Sequence, residues 1–144
     1  MDLSGLIDAD THVDETDATW DYMEPKEQSF KPVTEVRHNP NSSTKHAELR
    51  EWVVEGIRTR RPVRNDSKSG TKVGARELLD VESRLRHMDE LGTEIQVIYP
   101  TFFLHVPAAT DAGQVALARS YNRWLADRCS VSKGRLRWVC IPPL

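Results

Sequence analysis

The 144-residue chain has only two cysteines, Cys129 and Cys140, at a spacing that suits neither a metal knuckle nor a dithiol redox pair. They read as two reduced thiols of a cytoplasmic protein. Surplus positive charge is also lacking. The formal net charge is −2, whereas a phosphate-binding surface needs clustered Lys and Arg. The one basic run, Arg58 to Arg64, is short, so no nucleic-acid partner is expected. No apolar run approaches the length of a membrane span, and Met1-Asp2-Leu3-Ser4 lacks the basic and apolar regions of a signal peptide. No membrane partner is expected either. Internal repeats and low-complexity tracts are absent. What remains is the composition of one globular domain: 38% hydrophobic, 29% charged, with four Trp, three Tyr and three Phe to build a core.

The most informative stretch is Leu6 to Glu15. A short apolar strand runs into Asp8, Asp10, His12, Asp14 and Glu15. On a strand, Asp8 and Asp10 would face the same side. Crowded carboxylates at a buried strand end are costly unless a cation or hydrogen-bond donors compensate them. The pattern therefore reads as a strand ending at a metal site.

Further along, Asp14 to Lys72 is rich in Pro, Asn, Ser, Thr and charge and shows no convincing amphipathic helix. It is expected to be a long loop or a small excursion hairpin, because Trp52 to Ile57 is its one strand-like run and Arg58 to Arg64 follow directly. Asn65 to Gly70 reads as a flexible loop. Residues 75 to 91 carry Leu78, Val81, Leu85 and Met88 at helical spacing, with Arg84 assigned to the polar face, and Gly92 ends the helix. Glu94 to Tyr99 is a β-branched strand closed by Pro100. A loop with Phe102, Phe103 and His105 follows. A second helix is expected from Asp111 to Ser130, with Asp111 and Gln114 resembling a capping box. Leu136 to Ile141 is the last strand. Strands alternating with helices imply a parallel sheet.

Four blocks in order resemble the metal-dependent amidohydrolase-related family, in the branch containing aminocarboxymuconate-semialdehyde decarboxylase. They are Ile7-Asp8-Ala9-Asp10-Thr11-His12-Val13-Asp14-Glu15, then Arg84 to Gly92 followed by Val97-Ile98-Tyr99-Pro100-Thr101, then Ala118 to Ala126, and Arg135-Leu136 leading to Ile141-Pro142. The resemblance implies a partial TIM-type (β/α)8 barrel, about its first three strands and two helices, with a long loop after strand 1. A whole barrel takes about 250 residues, so the chain would be the N-terminal part of one.

The resemblance also implies a divalent metal, Zn or Mn, at low occupancy, with Asp10 and His12 as ligands and Glu15 as a further candidate. Asp14 stands where many relatives carry a second histidine. His105, on the loop after the second strand, and Phe102 are the candidate substrate contacts. The implied activity is hydrolysis or decarboxylation of small carboxylated, often aromatic, substrates, with the metal polarising substrate or water. The alternatives are a non-catalytic module that associates with copies of itself or others through exposed sheet edges, and a small α/β domain without metal.

Overall fold

The computed structural model describes residues 5–38, 48–61 and 70–142. Strand β1 spans Leu6–Val13. A helical turn, α1 (Asp17–Trp20), and a 3-10 turn (Pro25–Phe30) follow. Then come β2 (Val33–His38), β3 (Glu48–Val54) and β4 (Ile57–Arg61). The second half alternates: α2 (Val73–Arg76), α3 (Val81–Leu91), β5 (Thr93–Pro100), α4 (Asp111–Ser130) and β6 (Leu136–Trp138).

These strands form two separate sheets. One is parallel, in the order β1-β5-β6, and the other antiparallel, in the order β2-β3-β4. This corrects the barrel expectation. The parallel sheet is open, with β1 and β6 as free edges among the described residues, and three strands are far too few to close on themselves. The stretch expected to be a long loop or a small excursion hairpin after strand 1 holds, among the described residues, the whole second sheet, with β3 and β4 forming a hairpin across the strand-like run Trp52 to Ile57. Its alternation was masked because β2 to β4 carry Glu and Arg among the apolar residues of the open face, and Thr34 and Thr59 beside Trp52 on the covered one. The loop expected at Asn65 to Gly70 lies, Gly70 apart, outside the described residues.

The long helices follow local rules with two departures. The helix expected over 75–91 is split at Glu77 to Asp80, where Leu78 takes a φ of 53° and buries its side chain completely. Asp80 then caps α3 by accepting from Ser83 N–H at 2.8 Å. Gly92, at φ 69°, ends it. Helix α4 is capped by Thr110 rather than Asp111, since Thr110 Oγ1 accepts from Gly113 N–H.

Two apolar cores meet on α4. The first joins Val13, Ile98 and Leu136 of the parallel sheet to Leu78, Val81, Met88, Tyr121, Trp124 and Leu125. The second joins Trp20, Met23, Trp52, Val54 and Phe102 to Ala116 and Leu117. The hairpin between β3 and β4 turns on Glu55 (φ 47°) and Gly56 (φ 82°), a two-residue turn with both φ values positive. Glutamate is an unfavourable choice there, and its side chain explains it. The Glu55 carboxylate accepts from the N–H groups of Ala109 and Thr110, each at 3.0 Å, and from Thr110 Oγ1 at 2.8 Å. The hairpin tip is thereby fastened to the start of α4.

Candidate functional site

Among the described residues, strand β1 is paired along one side only, in parallel with β5. Asp8 lies opposite Gln96 and Thr11 opposite Ile98, so Ala9 and Asp10 bulge against the single residue Val97. The bulge breaks the two-residue alternation that would have placed Asp8 and Asp10 side by side. Asp8 turns to the helix-covered face, where its Oδ2 accepts from Gln96 Nε2 at 3.1 Å and its Oδ1 from Asp10 N–H at 3.2 Å. Asp10 is exposed.

His12 lies opposite Tyr99, on the face away from the first core, and its ring sits 6.0 Å from the Tyr99 ring. Its Nδ1 is 3.0 Å from the carbonyl oxygen of Pro100. A carbonyl can only accept, so Nδ1 carries the proton and Nε2 of the neutral ring keeps its lone pair. This is the arrangement by which a metal-ligating histidine is commonly oriented.

Glu15 has a different environment. It is buried, and its two oxygens accept from Thr101 N–H (3.1 Å) and Phe102 N–H (3.0 Å), tying the end of β1 to the turn after β5. Burial pushes its carboxyl from the ordinary 4.5 up to about 8, against the opposing pull of those N–H donors. Around it, the Thr16, Thr101 and Tyr121 hydroxyls are buried without a hydrogen-bond partner among the described residues. Asp14 is held by Arg76, with Nε to Oδ2 at 2.6 Å.

Asp10 and His12 thus share one cleft of about 430 Å³ along the free edge of β1, whose lining also includes Asp8, Thr11, Arg84, His87 and Gln96. Glu15 is not part of that lining. Among the described residues, no group of three or more His, Cys, Asp or Glu is placed to hold a metal ion. The donor chemistry of Asp10 and His12 suits a divalent cation, but two side chains alone hold one weakly.

The two candidate substrate contacts are separated. His105 lines a second cleft, of about 540 Å³, beside Phe103, Val106, Gln114 and Ile141. Phe102 does not reach it. Its ring is buried in the second core, 4.8 Å from the Trp20 ring.

One buried network was not anticipated. Arg84 lies on the covered side of α3, between Val81 and Met88, and not on the polar face. Its Nε donates to Gln96 Oε1 at 2.9 Å, Nη2 to Thr11 Oγ1 at 2.8 Å and Nη1 to the Ala75 carbonyl at 3.3 Å. Burial lowers its pKa. Two signals were legible. Residues 81, 84, 85 and 88 share one helical stripe, and Gln96 is the one polar side chain between Ile95 and Tyr99. No protein-family model and no curated protein matches the chain.

Proposed function

We propose that this chain carries the metal-ligating strand of a metal-dependent hydrolase or decarboxylase of the amidohydrolase type. Its substrate would be a small carboxylated, often aromatic, molecule, and it would work in the cytoplasm. The observation that carries the reading is the Nδ1–H bond of His12 to the Pro100 carbonyl, which leaves Nε2 free beside Asp10 in an open cleft. One imidazole and one carboxylate suit Zn²⁺ or Mn²⁺, and further donors are needed for tight binding. The bound metal would polarise a substrate oxygen or acidify a water. The four sequence blocks in family order support the same reading.

The test is metal content after dialysis against Zn²⁺ or Mn²⁺, for the wild type, Asp10→Ala and His12→Ala. Lower content in both variants is expected, and equal content in all three overturns the assignment. Both side chains are at least partly exposed, so neither change empties a core.

A second reading rests on a different observation. Among the described residues, the outer edges of β1 and β6 in the parallel sheet have no strand partner, and Ile7 is 57% exposed. A module that associates through these edges, with copies of itself among the partners, would hide that surface. Sedimentation showing a well-behaved monomer at high concentration would overturn it.

A further inference from the structure

The antiparallel sheet ends on a strand whose charge has one sign. Strand β4 reads Ile-Arg-Thr-Arg-Arg, with no carboxylate. It pairs with β3 on one side, and its other side has no strand partner among the described residues. The turn at Glu55 and Gly56 fixes which groups face that open side. A two-residue hairpin closes on a doubly hydrogen-bonded pair, here Val54 with Ile57, and such pairs recur at every second position of the ladder. Trp52 with Thr59 and Arg50 with Arg61 are the next ones. Arg58 and Arg60 fall between them, so their backbone N–H and C=O groups turn outward to the free edge.

The side chains of Arg58 and Arg60 share the open face of the sheet, as residues two apart on a strand do. Arg58 reaches Glu35 and Glu51, and Arg37 reaches Glu51 as well. Arg60 lies directly opposite Glu51, yet it is exposed and forms no ion pair among the described residues. Two carboxylates thus serve three arginines on that face. On the other face, Arg50 and Arg61 are direct cross-strand neighbours, and like charges so placed repel. Arg61 lies over the Trp52 ring at 4.2 Å and donates to Thr34 Oγ1 at 2.7 Å, both neutral partners.

We propose that the free edge of β4 binds an acidic extended segment of another protein as an added antiparallel strand. The segment carries Asp or Glu opposite Arg58 and opposite Arg60, with one apolar residue between them opposite Thr59. The spacing follows from the outward backbone groups of the two arginines. Thr59 is buried beside Trp52, so the residue between the two acids stands on the covered side and gains from a β-branched side chain. An edge of one sign repels a second copy of itself and attracts a segment of the opposite sign. In strand addition the main chain supplies affinity and the alternating side chains supply specificity. The inference concerns the antiparallel sheet and involves no metal. It therefore stands apart from the metal assignment and from association through β1 and β6.

The test titrates the capped peptide Thr-Glu-Val-Glu-Val-Glu-Thr into the whole chain at low salt and reads amide hydrogen exchange at Arg58 and Arg60. Exchange at both should slow by about tenfold once the peptide is about tenfold above its Kd. N-methylation of the central Glu removes a donor that faces β4, and should weaken binding by at least about tenfold. N-methylation of a Val, whose N–H points away from β4, should be tolerated. The same peptide with Lys in place of Glu should not bind. Arg60→Glu empties no core, because that side chain is exposed. The variant should lose about tenfold in affinity for the acidic peptide and gain binding of the lysine peptide. The proposal is overturned by unchanged exchange at Arg58 and Arg60, or by equal affinity for the two N-methylated peptides, which would mean charge attraction without strand pairing. It is equally overturned if the lysine peptide or oligothymidylate binds the wild type as tightly as the acidic peptide, or if Arg60→Glu leaves the affinity unchanged.

Discussion

The parallel and the antiparallel sheet are held by different means. The parallel sheet rests on apolar strand positions, Ile98, Val13 and Leu136, that two long helices cover. The antiparallel sheet is short and charged outside, and it is anchored by a few large residues and one carboxylate. Trp52, Val54 and Thr59 are its buried part, and Glu55 fastens its tip to α4. Helix α4 serves both: Ala116 and Leu117 pack into one core, and Tyr121, Trp124 and Leu125 into the other. A helix apolar over so much of its circumference couples two units that share no strand.

Removing the largest anchor gives the strongest test of that coupling. Trp20 is fully buried, at 4.8 Å from Phe102 and 6.1 Å from Trp52 by ring centroids. Trp20→Ala is expected to cost about 3–5 kcal/mol in urea denaturation. Because α4 is common to both cores, the loss should appear as one cooperative transition at lower urea, followed identically by fluorescence and far-UV circular dichroism. Two separated transitions would show that the sheets fold independently.

The same contrast explains what could be read from the chain beforehand. Helix α4 and strand β5 announce themselves because period and apolar pattern agree over their length. The second sheet does not, since Arg58, Glu35 and Glu51 pair with one another on its surface and dilute the alternation. The barrel expectation failed there, because it allowed a long loop or a small hairpin where β2, β3 and β4 form a three-stranded sheet. In the site, Asp10 and His12 fall in one cleft. Glu15 looked like a third ligand from sequence, since a carboxylate accepting two backbone N–H groups and one facing a cation have the same spelling. Phe102, expected beside His105, is buried in the second core while Phe103 lines the His105 cleft, as neighbouring aromatics after a strand differ only in which way the 3-10 turn points them.

Glu15 provides the next largest effect. Its folded carboxyl titrates near 8 and its unfolded one near 4.5. Between those values the folded state holds the extra proton, so the Glu15 contribution is full below about 4.5 and is lost as pH rises towards 8. The slope is up to about 1.4 kcal/mol per pH unit. Glu15→Gln is neutral throughout and should flatten that part of the curve. At the acidic end the variant should be less stable by about 1 kcal/mol, because the amide presents one oxygen to the two N–H groups of Thr101 and Phe102. Urea denaturation at several pH values checks this, and parallel curves for the two proteins would sink the assignment.

A smaller effect is expected at the hairpin tip. Glu55→Asn puts a better residue at a positive φ but shortens the side chain that reaches Ala109 and Thr110. The clamp should win, with a net loss of about 1 kcal/mol. Gly113 belongs to the same contact, since a Cβ there would meet Glu55 Oε2 at 2.6 Å. Glu55→Asn should therefore make Gly113→Ala easier to tolerate, which a double-mutant cycle by denaturation can measure.

The smallest effect sets two arginines side by side. Arg58 reaches Glu35 at 2.6 Å and Glu51 at 3.2 Å on the open face of the antiparallel sheet. Those two carboxylates raise its pKa, yet the guanidinium stands in water. Counting partners would rank it far above Arg84, which has no carboxylate at contact distance among the described residues. Solvent screening and the entropy of three long side chains reverse the order. Arg58→Met should be indistinguishable from wild type in high salt and only slightly destabilised in low salt. Arg84→Met removes the donors that Gln96, Thr11 and Ala75 use, so it should destabilise at every salt concentration. Denaturation of both variants at low and high salt decides the matter, and a salt-independent loss for Arg58→Met would show that the second sheet depends on its surface charges after all.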